Sequence, residues 1–230
     1  MTTSGSYQYN PSMGETVMYS YMMAGVKPTA LVAEHMFSAR MAMNMMLARW
    51  SNQGVNLWTV DLVTVPLVQG QSTYSVDAST IMVLDAYMAI VQNGVETDRT
   101  IVPVSRSEYA TYPNKDQQGF TTVFWFDRLI SPTITLWPVP DGSSAQYLKY
   151  YRCRQMQDAN FTSAQNVEAP YRYLEAIADG LAYRLAKIWA PDKAVALKAV
   201  ADESYQVAAL QDIEQAQQYI SPMIGSYFSP

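Results

Sequence analysis

Apolar residues recur at helical spacing along the stretch from Thr29 to Gly54. The repeat of about 3.6 residues is blurred, because additional methionines place apolar surface on more than one side of the helix. Pro28 and Thr29 predict the start of this helix, and Gly54 predicts a left-handed residue that ends it. A helix that is apolar on several sides must contact several neighbours, which are either other helices of this chain or helices of another copy.

The pattern changes to a period of two residues after Trp58, and this period is typical of β-strands. Asn93-Gly94 lies between two apolar segments and predicts a hairpin turn. The spacing of Ser105 and Glu108 matches a capping box and predicts a short helix among the strands. The predicted strands are Trp58–Val65, Ser72–Val76, Ile81–Gln92, Arg99–Val104, Phe120–Asp127, Thr133–Val139 and Gln146–Gln155. Strands at this spacing favour a compact antiparallel sandwich or barrel.

Helical periodicity is also present towards both ends of the chain. A short helix is predicted over residues 15–24, and Gly25 ends it. A second helix is predicted over residues 170–189, where Gly180 indicates close approach of another backbone. A third helix follows after a short break and runs to about Tyr219, so that the last two helices form an antiparallel αα-hairpin. The predicted apolar face of the last helix consists of Ala196, Val200, Val207 and Leu210.

These elements predict an α+β chain in which a β region is inserted between helices. We expect a flexible arm at residues 1–13 and a helical bundle formed by residues 14–56 and 158–219, which combines the long N-terminal helix with the C-terminal αα-hairpin. Residues 57–157 form the inserted antiparallel β domain, and residues 220–230 form an extended tail. Because this tail is apolar, it either docks into a groove of a partner or folds back over its own core.

Composition argues against several classes of protein, namely proteins that grip nucleic acid, membrane-anchored proteins and proteins with a signal peptide. Hydrophobic residues make up 49% of the 230-residue chain, which is ample material for a core. The formal net charge of −5 argues against a protein that grips nucleic acid by its phosphates, because such binding needs a basic face. No apolar run approaches the roughly 18 residues of a membrane span, so we expect no membrane anchor. The methionine-rich N-terminal stretch lacks a preceding basic region, so we expect no signal peptide.

Residue types that support catalysis or bind metals are sparse. His35 is the one histidine and Cys153 is the one cysteine, so the chain lacks the nucleophile–histidine sets and the usual zinc ligands. It also lacks the glycine-rich phosphate loops and the nucleophile elbow. Its carboxylate pairs belong to turns or to a solvated helix face, and they are Glu96/Asp98, Asp127/Asp141 and Asp202/Glu203. We therefore expect no catalytic residue, no cofactor and no metal site.

Aromatic side chains crowd the second half of the β region, from Phe124 to Tyr151. One face of such strands usually fills the core while the other meets a neighbour. A ligand platform is the alternative, in which case the chain is a carbohydrate- or surface-binding β module on a helical stalk. A cell-wall-degrading tail component is a further alternative, since carboxylates act in pairs on glycans.

Several short motifs occur in a particular order between Gly14 and Leu210. They are Met45-Met46-Leu47-Ala48-Arg49-Trp50, Gly54, Leu57-Trp58, Val63–Pro66, Gly70-Gln71-Ser72-Thr73-Tyr74, Val104-Ser105-Arg106-Ser107-Glu108-Tyr109, Leu136-Trp137-Pro138-Val139-Pro140 and Pro170–Ala190. This order resembles the head-to-tail adaptor proteins of tailed bacteriophages, the group of packaged-DNA stabilisation proteins and tail tubular protein A.

The resemblance implies a structural virion protein that forms a ring, usually of twelve copies, beneath the phage portal protein and continues the DNA channel towards the tail. Such a connector helps to retain packaged double-stranded DNA, which passes through without sequence-specific binding. It also provides the attachment site for tail nozzle, tail tube or fibre proteins. The protein is then made in the host bacterial cytoplasm and resides in the neck of the virion.

The resemblance also implies roles for two sets of residues. The C-terminal segment of such adaptors reaches up to grip the portal, and the portal-docking residues are then Tyr219, Ile220, Pro222, Met223, Ile224, Tyr227 and Phe228. The methionine-rich helix suits packing between subunits, and the packing residues are then Met36, Met43, Met46 and Trp50. The acidic balance suits a DNA conduit, since like charge limits adhesion to phosphate.

Overall fold

A computed structural model describes residues 4–7, 9–54, 56–160 and 165–213. The chain is α+β, as predicted, and this part of it contains five α-helices and nine β-strands. The helices are α1 (Met13–Ala24), α2 (Ala33–Ser51), α3 (Arg106–Thr111), α4 (Leu174–Trp189) and α5 (Ala194–Leu210). The strands are β1 (Val60–Pro66), β2 (Thr73–Ser75), β3 (Thr80–Gln92), β4 (Val95–Pro103), β5 (Gln118–Gly119), β6 (Val123–Asp127), β7 (Thr133–Trp137), β8 (Val139–Pro140) and β9 (Ala145–Arg154).

Helix α4 is the centre of the helical part, and it is buried on most sides. Helix α1 contacts it through the Ser20 hydroxyl, which donates to the Ala178 carbonyl at 2.9 Å. Helix α2 crosses it where Met46 lies against Gly180. Helix α5 returns along α4 after a 3-10 turn at Pro191–Lys193. The small residues of α4 let its neighbours approach closely, because the distance between packed helices depends on the side chains at the contact.

Ring contacts give the helix directions. The ring of Trp50, at the end of α2, lies 5.9 Å from that of Tyr173, which precedes α4. The ring of His35, near the start of α2, stacks at 4.0 Å on that of Trp189, the last residue of α4. Helix α2 therefore runs antiparallel to α4. We call the end of the helical part at which α4 begins and α2 ends the junction end, because it adjoins the sheet.

The boundaries of the first helices follow from local backbone geometry. Gly25 adopts φ 90° and ends α1, as predicted. The prediction that α2 begins at Thr29 is wrong, because Pro28–Ala30 form a separate 3-10 turn and Val32 is extended. The prediction that Gly54 ends α2 in a left-handed conformation is also wrong, since the helix stops earlier and the Asn52 N–H donates to the Arg49 carbonyl.

Seven strands form one curled mixed sheet in the order β1-β9-β3-β4-β6-β7-β2. The β3–β4 hairpin turns at Asn93-Gly94, where both residues have positive φ, and this confirms the predicted turn. Strand β4 pairs in parallel with β6, and β5 pairs in parallel with β8. A purely antiparallel sandwich or barrel is therefore the wrong description, because the chain crosses over through α3 between β4 and β6 and returns in the same direction.

The described residues form two hydrophobic cores. The sheet curls around the first, whose buried side chains include Tyr74, Met88, Ile101, Phe124, Ile134, Leu136, Leu148 and Tyr150. The helices and the segment after β9 enclose the second, whose buried side chains include Val17, Tyr21, Met43, Met46, Trp50, Tyr173, Ile177 and Leu181. Each core buries enough apolar surface to stabilise its own part of the chain.

Polar contacts around Glu168 join the sheet to the helices. Arg154, the last residue of β9, donates through Nη1 to Glu168 Oε2 at 3.0 Å and through Nε to Asp61 Oδ2 at 2.9 Å. The Gln157 N–H donates to Glu168 Oε2 at 2.8 Å, and the Trp58 indole N–H donates to the Glu168 carbonyl at 3.2 Å. Hydrogen bonding to Arg154 lowers the pKa of Glu168. This network positions the helices relative to β1 and β9.

A second polar contact lies at the end of the described C-terminal part. The prediction that the last helix reaches about Tyr219 is wrong, because α5 ends at Leu210. Asp212 lies two residues after Leu210, and its side chain is only 3% exposed. Its carboxylate forms an ion pair with Arg172. It also accepts the Leu57 N–H at 3.2 Å. The chain therefore reaches residue 213 held against the junction end.

Candidate interaction surfaces

The four residues of α2 predicted to pack between subunits differ in burial. Met43, Met46 and Trp50 lie in the helical core of this chain, where the Trp50 ring is 5.0 Å from the ring of Tyr205 on α5. Met36 is half-buried against the same core. In this conformation Met43, Met46 and Trp50 are not available to a second copy, because α4 and α5 already cover them.

The apolar residues of α1 and α2 that stay exposed lie on other sides of these helices. Phe37, Met41 and Met45 recur every four residues along α2 and form one stripe. Met18 and Met22 have the same spacing on α1. We call these five residues the methionine face. The sequence indicates a helix that is apolar on several sides, and the structure shows which of those sides lacks a partner.

The apolar face predicted for the last helix also points outward. Val207 and Leu210 of α5 are 60% and 72% exposed, and Val200 is exposed as well. The side that packs on α4 instead presents Ala201 and Ala208. We call the exposed residues Ala196, Val200, Val207 and Leu210 the α5 face. The inner side also carries the ring of Tyr205, whereas Val200, Val207 and Leu210 lie on the outer side, where a helix on a lone globule is expected to be polar.

A cleft of about 830 Å³ lies between the N-terminal arm, α1 and the start of α4, and we call it the junction cleft. Its apolar lining is formed by Tyr9, Pro11, Tyr19, Tyr171, Leu174 and Ala178. Its charged residues are Glu15, Arg172, Glu175 and Asp179. Asp179 is buried, and this burial raises the pKa of its carboxyl group. Nothing in the sequence pattern indicates this cleft, because its walls come from segments more than 150 residues apart.

The connection from β6 to β7 carries an exposed apolar tip, residues 128–131. Ile130 is 98% exposed and Leu129 is 61% exposed, and Arg128 beside them has no ion-pair partner in the described part of the chain. This tip is not among the features predicted from the sequence. The available signal is two adjacent large aliphatic residues in a turn between two strands, where polar residues are the rule.

The aromatic side chains of the β region contact the segment around α3. The ring of Tyr112 stacks on that of Trp137 at 4.2 Å, and the ring of Tyr109 lies 5.5 Å from that of Trp125. The Lys115 ammonium donates to the Tyr109 and Tyr112 carbonyls at 2.7 Å each, which holds the segment in place. These aromatic residues therefore pack within the chain instead of forming an open platform.

The residues considered for chemistry have structural contacts. His35 stacks on Trp189, and its Nδ1 accepts the Val32 N–H at 3.3 Å. Cys153 is buried, with its sulfur 3.3 Å from the Thr59 hydroxyl. Within the described ranges, no group of three or more histidine, cysteine, aspartate or glutamate side chains is arranged to hold a metal ion. In the same part of the chain, no helix combines the length and the hydrophobicity that a bilayer span requires.

The predicted portal-docking residues lie outside the described residues. They are Tyr219, Ile220, Pro222, Met223, Ile224, Tyr227 and Phe228. The last described residues lie at the junction end, because Asp212 is held there by Arg172 and Leu57.

Comparison with known proteins agrees with the adaptor resemblance. The sequence profile of the family described as SU10 adaptor protein matches residues 31–225, which span α2, the whole sheet, α4 and α5. A comparison with curated proteins finds no match. The match covers well over half of the chain, and the chain therefore belongs to the SU10 adaptor protein family, a family of head-to-tail adaptors of bacteriophages.

Proposed function

We propose that the protein is a structural component of the virion that assembles as a ring between the portal and the tail. In this role it continues the DNA channel, helps to retain packaged DNA and provides the attachment site for tail components. The observation that carries the proposal is the family match over residues 31–225. The structure adds physical support from its exposed apolar surfaces and from its charge.

The helices leave several large apolar side chains exposed. The methionine face and the α5 face each place such residues at helical spacing on the surface. Exposed apolar side chains arranged along a helix in this way suit a protein–protein contact. A ring subunit has a neighbour on either side, so two such surfaces on different helices suit it. We assign subunit packing to these faces in place of Met43, Met46 and Trp50, which are buried.

The charge balance suits a passage for DNA. The net charge is −5, and a protein that grips phosphates needs a basic face. A channel wall that repels phosphate lets the duplex move through without sequence-specific binding. Retention of the packaged DNA then depends on closing the channel with further tail proteins, not on adhesion to this chain.

We assign the portal contact to the C-terminal segment from Tyr219 to Phe228. Six of its residues are large and apolar, namely Tyr219, Ile220, Met223, Ile224, Tyr227 and Phe228. An ion pair between Arg172 and Asp212 holds the last described residues at the junction end. An apolar terminal segment suits docking into a groove of a second protein.

The test is assembly on the portal. Purified protein is mixed with the portal protein of the same phage, and the complexes are measured by mass photometry and negative-stain electron microscopy. We expect several copies to join each portal as a ring. The absence of any complex, together with absence of the chain from purified virions, refutes the proposal.

The portal contact has its own test. A chain truncated after Tyr219 should fold, as judged by circular dichroism, but should no longer join the portal. A full-length variant with Ile220, Met223, Ile224 and Phe228 each replaced by serine is the matched control for length, and it should fail in the same way. Joining by both variants places the portal contact elsewhere on the chain.

A further inference from the structure

The described surface includes an apolar projection and a large cleft, and neither has a partner among the described residues. The projection is the β6–β7 tip, where Ile130 is 98% exposed. The cleft is the junction cleft between the N-terminal arm, α1 and α4. We propose that the tip of one copy inserts into the junction cleft of the next copy and forms a subunit contact of the ring. This inference rests on the proposed ring assembly and identifies two surfaces that make it.

Charge complementarity favours this pairing. The junction cleft contains three carboxylates, from Glu15, Glu175 and Asp179, and one guanidinium. That guanidinium, from Arg172, is already paired with Asp212. The tip presents the cation Arg128, which has no ion-pair partner in the described ranges. A cation next to an apolar tip matches an apolar cleft whose carboxylates form no ion pair within the described ranges, and such complementarity fixes the register of an interface.

The cleft has room for the tip. Its volume of about 830 Å³ lies within the range of about 300–1,000 Å³ typical of ligand-binding clefts. The exposed side chains of Leu129 and Ile130 are small compared with a cleft of this size.

The cleft lies at the junction end of the helical part. The Met13 N–H, at the start of α1, donates to the Gln165 carbonyl at 2.8 Å. The Arg172 guanidinium lies 5.8 Å from the ring of Trp58, which belongs to the 3-10 turn before the first strand. The cleft therefore opens close to the level at which the helices meet the sheet.

The tip lies at the same level. The Pro132 carbonyl, directly after the tip, accepts the Val76 N–H at 2.9 Å. Asp77, the next residue, forms an ion pair with Arg152 of β9 at 3.4 Å. Two residues further along β9, Arg154 binds Glu168 in the network that joins the sheet to the helices. This chain of contacts ties the tip to the junction end.

Two different surfaces at one level suit a ring. Rotation about a ring axis keeps each residue at its height along that axis, so a contact between neighbouring copies must join groups at similar heights. A contact between two different surfaces is heterologous, and repeated heterologous contacts close into a ring when the rotation permits. The tip and the cleft are distinct surfaces, and because both lie near the junction end they have similar heights in a ring whose axis runs along the direction from the helices to the sheet.

Disulfide trapping in the assembled complex tests the proposal. One preparation carries Ile130→Cys and a second carries Tyr171→Cys, a cleft residue that is 79% exposed. The two are mixed with portal protein and oxidised, and cross-linked dimers are measured on non-reducing gels. The native Cys153 is fully buried and does not interfere. The matched control pairs Ile130→Cys with Val195→Cys, an 83% exposed residue at the opposite end of α5 from the junction.

The expected result is at least about tenfold more dimer from the tip–cleft pair than from the control pair, because thiols apposed in an interface have a millimolar effective concentration. Equal yields from the two pairs in complexes that do contain a ring overturn the tip–cleft contact and leave the proposed function intact. Failure of both preparations and of the unmodified chain to join the portal instead refutes the proposed function, and the tip–cleft contact with it.

A charge-reversal series provides a second measurement that needs no cysteine. Arg128→Glu should reduce the number of copies on each portal, because it places a carboxylate beside those of the cleft. Adding Glu175→Lys to the same chain should restore that number, since opposite charges again face each other. Because both residues are exposed, both variants are expected to fold. Full assembly of Arg128→Glu by itself contradicts the proposal.

Discussion

Replacing Glu168 with glutamine probes the network that joins the sheet to the helices. The Glu168 carboxylate accepts from both Nη atoms of Arg154 and from the Gln157 N–H. In the glutamine variant an NH2 group replaces one carboxylate oxygen and faces the guanidinium of Arg154. Because both groups are then donors, at least one charge-assisted hydrogen bond is lost and a donor is left unpaired. A bond of this kind contributes about 1.5–3 kcal/mol. Because Arg154 keeps its bond to Asp61, we expect Glu168→Gln to cost about 2 kcal/mol of unfolding free energy at pH 7.

The pH dependence gives the prediction a second readout. Hydrogen bonding to Arg154 lowers the pKa of Glu168 in the folded state relative to its ordinary value. The stabilisation is therefore fully present above the ordinary pKa of a glutamate and is lost as the pH falls through the lowered folded value. The difference between the unmodified chain and Glu168→Gln should shrink as the solution is acidified.

Urea unfolding followed by tryptophan fluorescence measures both effects, since the indole of Trp58 donates to the Glu168 carbonyl and reports on the network. The matched control is Glu203→Gln on the exposed side of α5, where a change within about 0.5 kcal/mol is expected. If Glu168→Gln loses no more unfolding free energy than the control variant, or if its loss stays constant down to acidic pH, the Glu168 network does not stabilise the contact between the sheet and the helices.

Three further predictions concern the helices. Gly180→Ala should lower the unfolding free energy by up to about 2 kcal/mol, because the new Cβ comes within 2.6 Å of Met46 Sδ and overpacking outweighs the gain of about 1 kcal/mol in helix propensity. In urea unfolding, the double variant Gly180→Ala/Met46→Ala should lose less unfolding free energy than the sum of the losses of the two single variants. Asp179→Asn should raise the melting temperature at pH 7, because burial raises the pKa of Asp179 and its charged form destabilises the fold above that pKa. The increase in melting temperature should disappear below the ordinary pKa of an aspartate, and an equal increase at all pH values contradicts this cause. The double variant Val207→Asp/Leu210→Asp should keep nearly the same melting temperature, since both side chains are largely exposed, but it should not assemble as a ring on the portal in mass photometry. Normal assembly of this variant shows that the α5 face is not part of the subunit interface.

Local chemistry made several elements predictable from the sequence. Gly25 ends α1 in the left-handed conformation, and Asn93-Gly94 forms the turn of the β3–β4 hairpin. Both predictions succeed because a positive φ is available to glycine and asparagine at little cost, whatever the rest of the chain does. The α+β class follows in the same way from segments whose periods of 3.6 and two residues are set by the backbone alone.

Tertiary contacts decided the properties that local chemistry leaves open. The sequence shows that α2 is apolar on several sides, but only packing on α4 and α5 determines that Met46 and Trp50 point inward and that Phe37 and Met45 remain exposed. The same reason explains the missed parallel pairing of β4 and β6, because strand order depends on contacts between distant segments.

The candidate interaction surfaces divide in the same way. The apolar α5 face can be read from residue spacing, yet its exposure depends on the alanines that α5 presents to α4. The junction cleft could not be predicted, since its walls come from the N-terminal arm, α1 and the start of α4. By itself the sequence determined the α+β class, several turns and helix ends, and the adaptor family, because these depend on local periodicity and on short motifs. Only the tertiary structure decided which apolar faces stay free for a partner, because burial is a property of contacts between segments far apart in the chain.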